Sequence, residues 1–174
     1  YLLTDRKFAG SDTWATSNIL SSMIKTLPYD LIIAGYQAID GDTAQVGPQV
    51  AEFLDIPQVT HVSKIIEMKD NKLIVEKKYE EETHHLSVSM PCLITTVKSM
   101  NTPRLMKADL AMHIENKKVH IIGVDGIVVD QKEIGLQGSP TKVKKTYTKE
   151  VIKRSSPIEI EPKEAAMRIL SLIK

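Results

Sequence analysis

The run DLIIAGY, residues 30–36, constrains this chain more than any other stretch. It is apolar at successive positions rather than at alternate ones. That pattern marks a strand covered on both faces, as in a parallel sheet. Parallel strands need crossover connections, so helices are expected on either side. Upstream, YLLTD (1–5) reads as a short strand. From about Asp12 to Leu27, the positions Thr16, Leu20, Met23, Ile24 and Leu27 trace one helical face. Ser11 or Asp12 can cap this helix, and Pro28 closes it. Downstream, Val46, Val50, Phe53 and Leu54 repeat the stripe until Asp55-Ile56-Pro57, and QVTHV opens another strand. Strand, helix, strand, helix, strand predicts an α/β fold: a Rossmann-like parallel sheet with flanking helices and right-handed crossovers.

Beyond Val62 the texture changes to alternating apolar and polar residues. The pattern predicts an added β-hairpin over 62–90, with Asp70-Asn71 as its turn, a further strand through HHLSVSM and a buried strand CLITTV. A helix is expected from about Pro103 to Glu115, and a late strand in KVHIIGVDGIVV with a turn at Asp125-Gly126. From Asp130 to Ile160 no period is visible, which suggests an extended C-terminal arm rather than a packed layer. PKEAAMRILSLIK closes the chain as an amphipathic helix with Ala165, Ile169 and Leu172 on one face. The expected organisation is an α/β domain over 1–129, including the hairpin, followed by an arm and helix over 130–174. Tyr1 stands in a strand already under way, so more chain is expected before it in the natural polypeptide.

A net charge of +1 supplies no basic field for nucleic acid, and 5% aromatic residues offer few stacking platforms. No apolar stretch reaches the roughly 18 residues of a membrane span. The single cysteine, Cys92, cannot pair internally and points to a reducing compartment, the cytoplasm by default. Following Pro91 inside an apolar run, it reads as a small buried hydrophobe. His84 and His85 are neighbours on a strand and point to opposite faces, so no metal site is expected of them.

In an open parallel sheet, ligands collect at the carboxyl ends of the strands. Two loops occupy that edge: TDRKFAGSDTWAT after the first strand and YQAIDGDTAQVG after the second. Both run into helix N-termini, where unpaired N–H groups and the positive dipole end suit phosphate. Gly10, Gly41 and Gly47 allow close backbone approach, Thr13, Thr16 and Thr43 supply hydroxyls, and Ala38 and Ala44 keep the wall low. The carboxylates Asp5, Asp12, Asp40 and Asp42 suit helix capping or a ribose hydroxyl better than phosphate. Gly and Asp are also ordinary turn residues, and neither loop fits the dinucleotide or P-loop fingerprint. The residues alone imply a nucleotide cleft of unspecified kind.

AGYQAIDGDTAQVGPQVAEFLDIPQVTHV resembles the signature stretch of the electron-transfer flavoprotein β-subunit family. MPCLITTVKSMNTPRLMKA is similar to its partner-recognition loop and following helix, and EIGLQGSPTKVKK to its C-terminal arm. The resemblance implies a heterodimer with an α subunit, against which the 130–174 arm, with Lys142, Lys144 and Lys145, would pack. It also implies electron transfer to an acyl-CoA or enoyl-CoA dehydrogenase, with Met100 and Asn101 as partner-binding residues.

The family divides by ligand. Some β subunits hold AMP structurally, while electron-bifurcating ones hold a second FAD that takes a hydride from NADH. TDRKFAGSDTWATS and the GDTAQVGP loop resemble the bifurcating group. The cofactor-binding residues implied for FAD are Asp5, Arg6, Phe8, Ala9, Gly10, Asp12, Thr13 and Thr16 in the first loop. The second loop adds Gln37, Ala38, Asp40, Gly41, Asp42, Thr43, Ala44, Gln45, Val46 and Gly47. Thr13 and Thr16 are the candidates to contact the ring, and Arg6 would stabilise its reduced, anionic form. No catalytic side chain is expected, because the flavin carries the chemistry. The alternatives are a β subunit binding AMP, or a nucleotide-binding sensor domain sharing only the fold.

Overall fold

The computed structural model describes residues 1–147, 157 and 159–173. Its first strand, β1 (Leu2–Leu3), leads through a single 3-10 turn at Arg6–Phe8 into helix α1 (Thr13–Ile24). Asp12 caps α1, its Oδ1 accepting from the Ala15 N–H at 3.0 Å. β2 (Leu31–Gly35) follows, then helix α2 (Val46–Leu54), which ends where Asp55 takes the left-handed conformation. β3 (Gln58–Lys69) and β4 (Lys72–Lys78) form the expected hairpin. Asp70 and Asn71 both have positive φ, as a two-residue type I′ turn requires. β5 (Thr83–Ser89) adds antiparallel to β4, and β6 (Cys92–Thr96) returns to the middle of the sheet.

The sheet order is β2-β6-β3-β4-β5. β6 runs parallel to β2 from Leu31↔Cys92 to Gly35↔Thr96, and parallel to the first half of β3. The second half of β3 pairs antiparallel with β4. One long strand thus joins the parallel, site-bearing part of the sheet to the hairpin. The α/β class with flanking helices holds. β1 does not enter this sheet. It pairs in parallel with β7 (Ile121–Ile122), which limits the expected late strand to two residues. After β7 the chain turns through Val124–Gly126.

Burial explains where other expectations give way. β2 was expected to be covered on both faces, yet Ile33 is 59% exposed. β2 is an edge strand of its sheet, and the helices cover only the face of Ile32 and Ala34, where α2 supplies Val50 and Ala51. α1 buries more than the expected stripe. Ile19 and Met23 join a cluster with Val124, Ile127 and Ile134, while Leu20 and Ile24 pack against the α2 cluster. Being covered from two sides, the helix buries Ser17, Ser21 and Ser22, whose hydroxyls bond back to carbonyls one turn earlier.

The expected helix over Pro103–Glu115 shrinks to α3 (Ala108–Met112) and a 3-10 turn. Leu105, Met106, Leu110 and Met112 are all exposed. Without a buried face, propensity alone does not hold a longer helix.

The first compact unit runs from Tyr1 through Lys142. A 3-10 turn at Gln131–Glu133 and the single-turn helix α4 (Gly135–Gly138) occupy what was expected to be open arm, and Ile134 is a core residue. The second unit, Val143–Lys174, contributes helix α5 (Pro162–Leu172). Pro162 sits in the first turn of α5, and Ile169 and Leu172 of the expected stripe are exposed. Arm residues 148–156 and 158 lie outside the described residues.

Candidate nucleotide-binding site

Thr13 and Gln45 hold the two loops together. The Thr13 hydroxyl donates to Gln45 Oε1 at 3.0 Å, joining the start of α1 to the residue before α2. Below this bond the helices pack closely through Ser17. Its hydroxyl donates to the Thr13 carbonyl at 2.7 Å and lies 3.0 Å from Gln49 Oε1. Trp14 and Phe53 close the outer side in a T-shaped contact at 5.5 Å.

The two helix starts differ. At α1 the Asp12 carboxylate accepts from the Ala15 N–H and places a negative charge at the helix start. At α2 the residue before the helix is Gln45, and no side chain caps the first turn. Its N–H groups are available to a phosphate. The approach is a tight loop in which Asp42 and Ala44 take positive φ of 52° and 54°. Neither carboxylate of the loop competes for that turn. Asp40 Oδ1 accepts from the Gly41 N–H at 2.9 Å, and Asp42 Oδ1 accepts from the Gln37 side-chain amide. Gly41 has open space where a Cβ would stand. Gly47 serves packing instead: a Cβ there would meet Thr95 Cγ2 at 2.6 Å, so the glycine lets α2 lie close on β6.

Of the other first-loop residues, Asp5 is a brace. Its carboxylate accepts from the Lys7 and Val124 N–H groups, and these bonds, Lys7 first, lower its pKa. Phe8 packs against the Val124 cluster, Gly10 has φ of 77°, and Arg6 and Ala9 are exposed. Thr16 is half-buried on α1, while Ala38 and Thr43 are exposed and Val46 packs below the loop. Thr13, Gln45 and the first turn of α2 therefore converge, whereas Asp5 and Phe8 support the scaffold. Met100 is half-buried at the end of a 3-10 turn, and Asn101 beside it is exposed.

Sequence reasoning passed over three positions at this edge. Tyr36, directly after β2, lies 4.8 Å from the His61 ring, and His61 sits at positive φ in a bulge of β3. Thr95 accepts from the His61 N–H at 3.1 Å. A bulge cannot be read from an unbroken strand pattern.

A family model for the electron transfer flavoprotein domain matches residues 1–122. The chain belongs to the electron transfer flavoprotein family. Among its relatives, the β subunit of Clostridium acetobutylicum is 47% identical over 173 residues, covering 99% of this chain and 66% of that protein. The β subunit of Thermoanaerobacterium thermosaccharolyticum is 52% identical, over 85% of this chain and 57% of its own length. Subunit CarD of the caffeyl-CoA reductase–Etf complex of Acetobacterium woodii is 43% identical, over 85% of this chain and 56% of its own length. The chain thus spans a little over half to about two thirds of these relatives. Within the electron transfer flavoprotein family it falls with the β subunits. Among the described residues, no helix is long and apolar enough to cross a membrane.

Proposed function

We propose that this chain is the nucleotide-binding part of a β subunit that holds FAD, works with an α subunit, and passes electrons from NADH to the α-side FAD and an acyl-CoA or enoyl-CoA dehydrogenase. The observation that carries the reading is the uncapped first turn of α2, set beside Thr13 and approached by a loop whose carboxylates are already engaged. Peptide N–H groups around Val46 and Gly47 would hold the pyrophosphate. Thr13 and Thr16, one helical turn apart, would line the ring, and exposed Arg6 would balance charge on its reduced form. When bound, FAD supplies hydride acceptance and single-electron release; this chain supplies position, charge and exclusion of water. Support for bifurcation comes from the Asp40–Pro48 loop, and likeness to a subunit of a caffeyl-CoA reductase–Etf complex supports a CoA-thioester partner. Asn101 and the exposed Leu105 and Met106 near Met100 suit an apolar partner surface.

The test uses the full-length protein purified with its α subunit. The complex is denatured and the released nucleotides are counted per heterodimer. Two FAD and no AMP are expected. One FAD and one AMP would keep the phosphate site but remove redox chemistry from this subunit. No nucleotide beyond one flavin would contradict the reading.

A further inference from the structure

The Asp12 carboxylate reaches two elements at once. Oδ1 accepts from the Ala15 N–H at the start of α1, and Oδ2 accepts from both the N–H and the hydroxyl of Thr141, at 2.9 and 2.8 Å. Thr141 stands next to Lys142, where the first compact unit ends and the chain continues into the second. The residue after Asp12 is Thr13, whose hydroxyl bonds Gln45 before the uncapped turn of α2. Asp12 and its chain neighbour Thr13 thus connect Thr141, near the end of the first unit, with Gln45 before the candidate phosphate site.

Residues 135–139, just before Thr141, are pinned more deeply. Ser139, 5% exposed, donates to the Gly135 carbonyl at 2.7 Å and accepts from the Asp12 N–H at 2.8 Å. Ser11 accepts from the Gly135 N–H at 3.0 Å, and Leu136 N–H donates to the Ala9 carbonyl at 3.1 Å. Gly135 has φ of 62°, and a Cβ there would stand 2.2 Å from the Lys7 carbonyl oxygen. Thr141, by contrast, is exposed. The buried Ser139 pin holds residues 135–139 against the first loop, while the exposed Asp12–Thr141 pair can open without disturbing the core. Burial alone would raise the Asp12 pKa, but the hydrogen bonds from Ala15 and Thr141 outweigh it, so the latch is an ionised carboxylate at neutral pH.

We propose that Asp12 is a positioning residue that latches residues 139–142, at the end of the first unit, to the nucleotide loops, so that nucleotide binding and closure of this latch strengthen each other. The proposal rests on the reading of these loops as a nucleotide site. Nucleotide seated on α2 fixes Gln45 and Thr13, which holds α1's first residue and its cap in the geometry that Thr141 requires. Coupling of this kind is reciprocal: closing the latch must raise nucleotide affinity by the same factor.

The experiment measures hydrogen–deuterium exchange of residues 139–147 in the full-length protein purified with its α subunit, stripped of nucleotide and then saturated with FAD or AMP. Titration of the same samples gives affinity. Nucleotide is expected to slow exchange at Thr141 and Lys142 about tenfold, within the usual range of coupling factors. Thr141→Val keeps the shape but loses the hydroxyl. It should cut that protection to about threefold or less and weaken nucleotide binding in proportion, and Thr141→Ser should restore both. Asp12→Asn, an isosteric second variant, should abolish the protection, and unchanged exchange in 72–89 reports that each variant is folded. Nucleotide binding with unchanged exchange at 139–147 would overturn the latch and leave the nucleotide site standing. So would full coupling in folded Thr141→Val. Absence of any nucleotide binding would overturn both.

Discussion

Gly47→Ala isolates the packing that places the phosphate cradle. On an open helix this exchange gains up to about 1 kcal/mol, because glycine gives up more chain freedom on folding. Here the new Cβ would stand 2.6 Å from Cγ2 of Thr95, a residue 2% exposed in the middle of the sheet. Neither side can yield freely, and overpacking of this sort costs about 1–3 kcal/mol. The expected net loss is about 0.5–2 kcal/mol, read as a lower urea midpoint at unchanged slope in the full-length protein. Thr95→Ser removes the colliding methyl but keeps the hydroxyl that accepts from the His61 N–H. Alone it should cost about 1 kcal/mol for the lost methyl. In the double variant the alanine fills that space, so the two changes should couple favourably by about 1–2 kcal/mol. A stabilised Gly47→Ala protein, or additive effects, would refute the close approach of α2 to β6.

Three further outcomes follow from the same geometry. Gly135→Ala combines a left-handed φ with a backbone clash, and should cost about 2–4 kcal/mol by denaturation while speeding proteolysis after residue 139. Burial raises the Cys92 thiol pKa, so iodoacetamide at pH 8 should label it only when denaturant unfolds the chain. The Asp5 and Asp12 carboxyls sit below the ordinary 3.8 in the folded state. Their contribution to stability is complete above that value and is lost as pH falls through the lower folded values. Acid titration of unfolding should therefore flatten below about pH 4 in Asp12→Asn, and no change of slope would count against the cap.

How much of this was legible in the sequence depended on how local each signal was. The β2–loop–α2 passage, the Asp12 cap and the Asp70-Asn71 turn each rest on residues a few positions apart, and the structure keeps all three. The pairing of Leu2 with Ile121 and the Asp12–Thr141 bond join residues far apart in the chain, and no periodicity records them. The two-sided burial of α1 was hidden by serines, which read as polar but satisfy their own hydroxyls within the helix. At the candidate site, the sequence pointed to both loops but not to the division of labour among their residues. Gly47 is a packing residue and Asp5 a brace, and only the contacts of each reveal that.

In the proposed site, phosphate docks on the uncapped first turn of α2. The most direct measurement compares AMP with adenosine by calorimetric titration of the nucleotide-stripped, full-length protein. Hydrogen bonds to a charged group are worth about 1.5–3 kcal/mol each, so two of them predict AMP binding at least about a hundredfold tighter than adenosine. Equal affinities would place the phosphate in solvent and contradict the account.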